Sequence, residues 1–262
     1  MGLRGLPILR DMERKAVPLW GVVSVTAVVL VWGAVCAFRL VQPLYLPSPL
    51  AVVSELVSMI RTGELWSALS LSLYRIITGF AIGVVIGILV GLAVGVSRFA
   101  ESVVDPLLSL AYPIPKIALL PLIILWMGIG ESSKIAIIAV GVFFPMAINT
   151  IAGVTGTDKL LIMAAVSLGA SPWQIIRKVL IMNAIPVMFA GLRIAAGQAL
   201  LLIVSAEMVA ATAGIGYTVL YAGDLMMTAK LMAGLVVLCA LGILSTTIIQ
   251  RSERLLFPWR RY

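Results

Sequence analysis

Residues 76–96 read IITGFAIGVVIGILVGLAVGV, an apolar run of 21 residues without a charged side chain. A helix of about 20 apolar residues is long enough to cross the hydrocarbon core of a bilayer. The run therefore predicts a membrane-spanning helix.

A glycine strip follows one side of this helix, because glycine recurs at every fourth position. Its members are Gly79, Gly83, Gly87, Gly91 and Gly95. A strip without side chains lets another backbone approach closely, so it predicts a helix-packing face and offers a basis for dimerisation. The alternative is incidental glycine, which is common in membrane helices.

Composition extends the membrane assignment to the whole chain of 262 residues. Hydrophobic residues make up 62% and charged residues 11%, against about one half and one quarter in soluble domains. Further apolar spans are predicted at 20–38, 107–126, 135–154, 184–211 and 231–250. The expected fold is all-α and membrane-embedded, with about six transmembrane helices and both termini on one side.

The formal net charge of +8 is distributed as in a membrane protein rather than a nucleic-acid binder. Most basic residues fall on one predicted side, at positions 4, 10, 14, 15, 98, 159, 177, 178, 251, 254, 260 and 261. The opposite loops hold Arg39, Arg61, Lys134 and Lys230, with Arg75 at the edge of the second span. Because basic loops face the cytoplasm, we expect cytoplasmic termini, membrane lipid as a partner and no nucleic acid.

Residue types that support catalysis or metal binding are scarce. The chain has no His, and Cys36 and Cys239 lie within predicted spans, which fits neither a disulfide framework nor a metal pair. It also lacks a Gly-x-x-x-x-Gly-Lys-Ser/Thr loop to hold ATP phosphates. We therefore expect no enzyme activity, metal or cofactor in this chain.

These spans predict five regions. They are an N-terminal tail (1–19), a first membrane helix (20–38), an external loop (39–73), a helical core (74–250) with a cytoplasmic loop (155–182), and a basic C-terminal tail (251–262).

The external loop contains a candidate amphipathic helix. Ser48 is suited to cap it, Pro49 to begin it and Gly63 to stop it. One helical face would carry Val52, Val53, Leu56, Val57 and Ile60. A helix on the outer membrane surface and an ordinary packed loop helix both fit this pattern.

The third span is interrupted by Pro113, Pro115 and Pro121, with Lys116 among them. Proline removes a backbone donor and kinks a helix, and a bilayer tolerates exposed backbone only where protein or water covers it. We expect a bent or partly unwound element that faces the interior of the bundle.

The fifth span carries Arg193, Gln198, Ser205 and Glu207. Ionisable groups at that depth face a cavity or a partner. Arg193 and Glu207 are about 21 Å apart along a helix, so each needs a partner elsewhere. Either they form structural ion pairs or headgroup contacts, or Lys116 and Arg193 guide an anionic solute while Glu207 lines a gate or pairs with one of these cations.

The loop before the fifth span, residues 158–178, reads DKLLIMAAVSLGASPWQIIRK. Asp158 is suited to cap a helix, Gly169 to end it and Ser171-Pro172 to begin another. One face of the first helix would carry Leu161, Ala164, Ala165 and Leu168. Such a helix would dock into a groove on a soluble partner, or merely lie on the bilayer surface.

This loop resembles the cytoplasmic "EAA" loop of permease subunits of binding-protein-dependent ABC importers. The resemblance covers most of the chain from about Leu46 to Leu255. It extends to Leu46-Pro-Ser-Pro49, Pro113-Ile-Pro115, Leu120-Pro121, Leu125-Trp-Met-Gly-Ile-Gly130, Phe144-Pro145, Gly191-Leu-Arg-Ile194, Ala206-Glu207 and Gly214-Ile-Gly216. The sequence resembles most the branch that imports alkanesulfonates and taurine, to which nitrate, bicarbonate and thiamine-precursor permeases are related. The resemblance implies a type I permease bundle.

In that family the loop is a coupling helix seated on the ATPase subunit, which assigns ATPase coupling to Leu161, Ala164, Ala165, Leu168 and Gly169. The resemblance further implies a second permease copy, two cytoplasmic ATPase subunits that bind ATP and Mg, an external solute-binding protein and a prokaryotic plasma membrane. It assigns hydrolysis to the partner and alternating access to the bundle.

Two departures from the family pattern stand out. The usual loop glutamate is Met163, and the closing Leu-Pro is Ile181-Met182. The first change leaves the apolar docking face but removes a charge toward the ATPase. The second removes a proline that starts a helix, so the beginning of the fifth span is less rigidly defined.

A secondary transporter driven by an ion gradient is the main rival. Such transporters show paired halves with matching broken helices, and no second copy of the proline pattern in the third span is evident. A membrane enzyme would need a cluster of catalytic residues, and a passive anchor would leave the internal charges and the loop unexplained.

Overall fold

The computed structural model describes residues 7–257, with side chains from Trp20 to Phe257. Its helices are α1 (Pro7–Ala37), α2 (Pro49–Arg61), α3 (Glu64–Gly95), α4 (Arg98–Ala111), α5 (Leu120–Met127), α6 (Glu131–Thr155), α7 (Lys159–Ser167), α8 (Pro172–Ile175), α9 (Ile181–Ala210), α10 (Ile215–Asp224) and α11 (Thr228–Leu256). A 3₁₀ turn (Lys116–Leu119) precedes α5, and a π-helical turn (Ile176–Leu180) joins α8 to α9. The outermost parts of both predicted tails, with Arg4, Arg260 and Arg261, lie outside the described residues.

Within residues 7–257, five helices are long and apolar enough to cross a membrane, and the bent pair α4 and Lys116–Met127 adds a sixth if it counts as one span. Several helices extend past the predicted spans. α3 begins at Glu64, and one continuous helix runs from Pro172 to Ala210. Hydropathy marks only the apolar middle of each helix, so polar first and last turns were missed.

The two ends of the bundle carry different short helices. α2 and α10 pack beside α3 and α11 at one end, whereas α7 connects α6 to α8 at the other. We call these the α2 end and the α7 end.

The glycine strip packs α3 directly against α6 of the same chain. A Cβ atom added to any of its members would lie 2.5 to 2.8 Å from an atom of α6. The facing residues of α6 are Ile135, Ile138, Ala139, Val142, Phe143, Met146, Ala147, Thr150 and Val154. The inference that the strip supports dimerisation is therefore wrong, because a spacing of four shows a close approach but not which helix makes it.

α6 lies at the centre of the bundle, between α3 and α9. Small residues bring α9 close, since a Cβ at Gly153 would lie 2.9 Å from the Cβ of Ala184, and one at Gly191 would lie 2.8 Å from the Cβ of Asn149. Ile137, Ile138, Val142 and Met146 of α6 are fully buried in this core. Together α3, α6 and α9 form the central layer of the bundle, and the other helices pack around it.

α2 begins and ends as predicted, with one difference in its buried face. The Ser48 hydroxyl accepts a hydrogen bond from the Ala51 amide at 3.2 Å, and Gly63 adopts a φ of +81° after the last turn. Val52 and Met59 are buried, whereas Val53 is 56% exposed. The predicted apolar face is thus rotated, because α2 packs against α3 and α11.

The third predicted span is two helices, bent by 89° around the 3₁₀ turn. Leu108, Leu120 and Ile123 are buried, but Leu125 and Trp126 are 78% and 72% exposed. The element is broken as predicted, but only one of its sides faces the bundle.

Candidate functional site

An ion cluster joins α3, α6 and α9 near the α2 end, with Arg75 and Glu207 buried and the Glu131 side chain 44% exposed. Arg75 of α3 is 2% exposed, and its Nε and Nη2 donate to both carboxylate oxygens of Glu131 at 2.5 and 2.7 Å. Its Nη1 donates to Glu207 Oε1 at 2.7 Å and to the carbonyl oxygen of Ala213 at 2.8 Å. Paired, hydrogen-bonded ions are the form in which charges are tolerated in a bundle interior.

Glu207 also fixes the start of α10. Its Oε2 accepts a hydrogen bond from the Gly216 amide at 2.8 Å, and its Oε1 accepts one from Ser72 Oγ at 2.7 Å. Ser72 in turn accepts the Ile215 amide at 3.0 Å. A carboxylate that accepts the first amides of a helix acts as its cap, so Glu207 holds α10 in place.

Glycine is required where α10 meets this carboxylate. Gly214 has a φ of +130°, and a Cβ there would collide with the Glu207 carboxylate. At Gly216 a Cβ would lie 2.7 Å from the carbonyl oxygen of Val204. The Gly214-Ile-Gly216 sequence therefore belongs to the same structural unit as Glu207.

The alternative in which Glu207 pairs with Lys116 or Arg193 is wrong, because Arg75 occupies its carboxylate. That Glu207 lines a gate stays a prediction. Arg75, expected at the edge of a span, lies within α3. Lys134, expected in a loop, is buried with its Nζ 3.6 Å from Glu131. The sequence signal for this cluster was that Ser72 and Arg75 are three residues apart and therefore share a helical face.

Arg193 has a different partner at the α7 end. Its Nη1 donates to Glu253 Oε2 of α11 at 2.5 Å, and its side chain is 34% exposed. The prediction that Arg193 and Glu207 each pair elsewhere is confirmed.

A cavity of about 320 Å³ lies where the broken third span meets α6 and α9. Lys116, Tyr112, Phe144 and Gln198 are among its lining residues. Arg193 and Glu207 are absent from this lining, so of the three predicted path residues only Lys116 is at the cavity.

The ammonium group of Lys116 caps the C-terminal end of α4. It donates to the carbonyl oxygens of Ala111 and Ile114 at 3.1 and 3.0 Å and to that of Tyr112, and it lies 4.3 Å from the centroid of the Phe144 ring. These three acceptors match the three donors of an ammonium. Lys116 therefore stabilises the bend directly and contributes positive potential to the cavity. The Gln198 amide also lines the cavity and makes no hydrogen bond to another described residue.

The predicted docking helix is α7, and no residue of it is buried. Asp158 Oδ1 accepts the Leu160 amide at 2.8 Å, and Gly169 follows the helix with a φ of +78°. Leu161 is 52% and Leu168 88% exposed, with Ala164 between them also exposed and Ala165 half-buried. An apolar helix left uncovered by residues 20–257 has a surface available for another molecule.

Comparison with known proteins identifies the family. The family described as binding-protein-dependent transport system inner membrane component matches residues 83–262. The chain belongs to this family. The resemblance inferred from the loop and the all-α membrane fold class are thereby confirmed, and this inner membrane component is a multi-pass membrane protein.

Curated relatives of this inner membrane component match nearly the whole chain. The taurine transport system permease protein TauC of Escherichia coli (strain K12) is 37% identical over 241 residues, 90% of this chain and 88% of TauC. The putative aliphatic sulfonates transport permease protein SsuC of Bacillus subtilis (strain 168) is 34% identical over 240 residues, 92% of this chain and 87% of SsuC. A chain of the MetNI methionine ABC transporter, solved in inward-facing conformations, has a TM-score of 0.48 at 20% identity and covers 72% of this chain and 94% of its own.

Proposed function

We propose that this chain is the permease subunit of an ATP-driven importer for a small anionic organic solute of the taurine or alkanesulfonate type. The observation that carries the proposal is α7, an exposed, capped helix in the loop between two spanning helices. Its sequence resembles the coupling loop of ABC importer permeases, and two relatives of the chain, TauC and SsuC, are named for taurine and aliphatic sulfonates.

The proposed assembly contains two copies of this chain, two cytoplasmic ATPase subunits with ATP and Mg, and an external solute-binding protein. The basic loops support an orientation with both termini and α7 in the cytoplasm. The chain contributes no hydrolytic group, and ATP chemistry belongs to its partner.

Coupling is assigned to Leu161, Ala164, Ala165, Leu168 and Gly169. The first four would seat on the ATPase, and the positive φ of Gly169 sets the turn from α7 into the helix that begins at Pro172. Met163 is 54% exposed, so the position where the family carries glutamate presents an apolar side chain to the same partner.

The solute path is assigned to the cavity beside Lys116. The positive potential of Lys116 attracts an anion there, and the Gln198 amide offers neutral hydrogen bonds. Glu207 and Arg193 support the path indirectly, through the ion cluster and the pair with Glu253.

The test is ATPase activity of this chain co-expressed with its nucleotide-binding subunit in lipid, with and without the binding protein and taurine or an alkanesulfonate. Co-purification and hydrolysis stimulated by solute are the expected results. Uptake that needs no ATPase and is abolished by dissipating the ion gradient would instead establish the secondary transporter.

A further inference from the structure

An apolar groove of about 370 Å³ lies between α3, α9 and α11, apart from the cavity beside Lys116. Its walls are residues 73–81, 196–200 and 241–249 in part, and Ser245 is the single polar side chain among them. Along α11 the lining covers about 12 Å of helix. All three helices are candidate spans, so the groove lies at the depth of the bilayer hydrocarbon.

A charged pair lies one helical turn beyond the groove at the α7 end. Arg193 lies one turn from Ala196 on α9, and its partner Glu253 lies one turn from Ile249 on α11. Among the described residues, no acceptor bonds to Nε or Nη2 of Arg193, although its side chain is 34% exposed.

The local charge is positive beyond this pair. Arg251 and Arg254 are exposed in the last turns of α11, on either side of the buried Glu253. The groove thus combines an apolar slot at membrane depth with cations at the level where α11 ends. A phosphate supplies acceptors for the remaining N–H groups of a guanidinium, and basic pockets between membrane helices are typical binding sites of anionic headgroups.

We propose that this groove binds one anionic phospholipid, with an acyl chain along α11 and the phosphate on Arg193. Another helix in the same place would leave the Arg193 donors without acceptors unless it carried an acidic residue at that level. The lipid would hold α9 and α11 together at the α7 end. This binding does not depend on the solute or on the ATPase.

The test is native mass spectrometry of the full-length chain extracted in mild detergent from vesicles of phosphatidylglycerol and phosphatidylcholine. Ala81→Trp fills the groove, because Ala81 lines it and is exposed. Val85→Trp is the matched control, since Val85 is one turn further along α3, 55% exposed and not part of the lining. Retained phosphatidylglycerol should fall about tenfold with Ala81→Trp, a loss of about 1.4 kcal/mol, and stay unchanged with Val85→Trp.

A double variant tests the headgroup contact. Arg193→Gln with Glu253→Gln removes both charges and keeps two amides that can bond to each other, so neither charge is left unpaired. The preference for phosphatidylglycerol over phosphatidylcholine should disappear while total retained lipid stays the same. Wild-type retention in Ala81→Trp, equal binding of both lipids by the native chain, or a crosslink from Ala81→Cys to a second copy would each overturn the proposal, whatever the outcome of the transport assay.

Discussion

Replacing Gly87 by Ala should push α3 away from α6. The new Cβ would lie 2.6 Å from Met146 Cβ and 3.0 Å from the carbonyl oxygen of Phe143, whereas ordinary contact begins at 3.4 Å. Neither atom can rotate away, because one is the root of a side chain and the other belongs to the backbone. The helices must therefore separate locally by up to about 0.8 Å, and overpacking of this kind costs about 1–3 kcal/mol.

The midpoint of thermal unfolding of the purified chain measures this cost. About 2–4 °C corresponds to 1 kcal/mol in a domain near this size, so we expect a fall of about 2–12 °C. Gly197→Ala is the matched control, since a Cβ at Gly197 of α9 would have no atom within 4 Å. That variant should be unchanged or more stable, because Ala favours helix by about 1 kcal/mol over Gly.

A double variant sharpens the same test. Gly83→Ala combined with Gly87→Ala should cost less than the sum of the two single changes, because the first already separates the helices. Equal midpoints for Gly87→Ala and Gly197→Ala would refute the reasoning that contact with α6 explains the strip.

Three further predictions concern the charged and coupling residues. Arg75→Met should lower the free energy of unfolding by about 3–5 kcal/mol, because it leaves a buried carboxylate without its partner. Adding Glu207→Met should restore part of the lost stability. If chemical denaturation shows that the two losses add, the pairing is contradicted. Gly169→Val should keep ATP hydrolysis but reduce solute uptake. Gly169→Asn should keep both activities, because Asn tolerates a positive φ. Coupled uptake by Gly169→Val would exclude a role for this turn. Gln198→Leu should raise the KM of uptake and leave the thermal midpoint unchanged. Lys116→Met should lower the thermal midpoint, because three carbonyl groups at the bend lose their donor. The reverse pattern would show that Lys116, and not Gln198, contacts the solute.

Local signals in the sequence were sufficient for the apolar spans and for the capped starts of the short helices, but not for the polar ends of the long helices. Apolar length predicted the spans, and the capping roles of Ser48, Asp158 and Ser171 are confirmed in the structure. Pro113 and Pro115 marked the break in the third span because they act on their own backbone. Each of these effects depends on neighbours within a few residues.

Long-range partners could not be predicted in the same way. Arg75 meets Glu131 and Glu207, which are 56 and 132 positions away, and the sequence indicates only that each buried charge needs a partner. The glycine strip has the same ambiguity, since α6 and a second copy are equivalent partners for a side-chain-free face. Gln198 was noted as polar within a span, but its position in the cavity follows only from how α9 packs against α6.

The helix from Pro172 to Ala210 contains a candidate pivot close to the α7 end. The π-helical turn and Pro186 both interrupt the regular hydrogen-bond ladder close to the coupling loop, while Glu207 lies about 31 Å beyond Pro186 along the shaft. A tilt of about 3° at that pivot displaces Glu207 by about 1.6 Å over this length. Since the bond from Arg75 to Glu207 is 2.7 Å long, a displacement of this size directed away from Arg75 would be enough to break that ion pair.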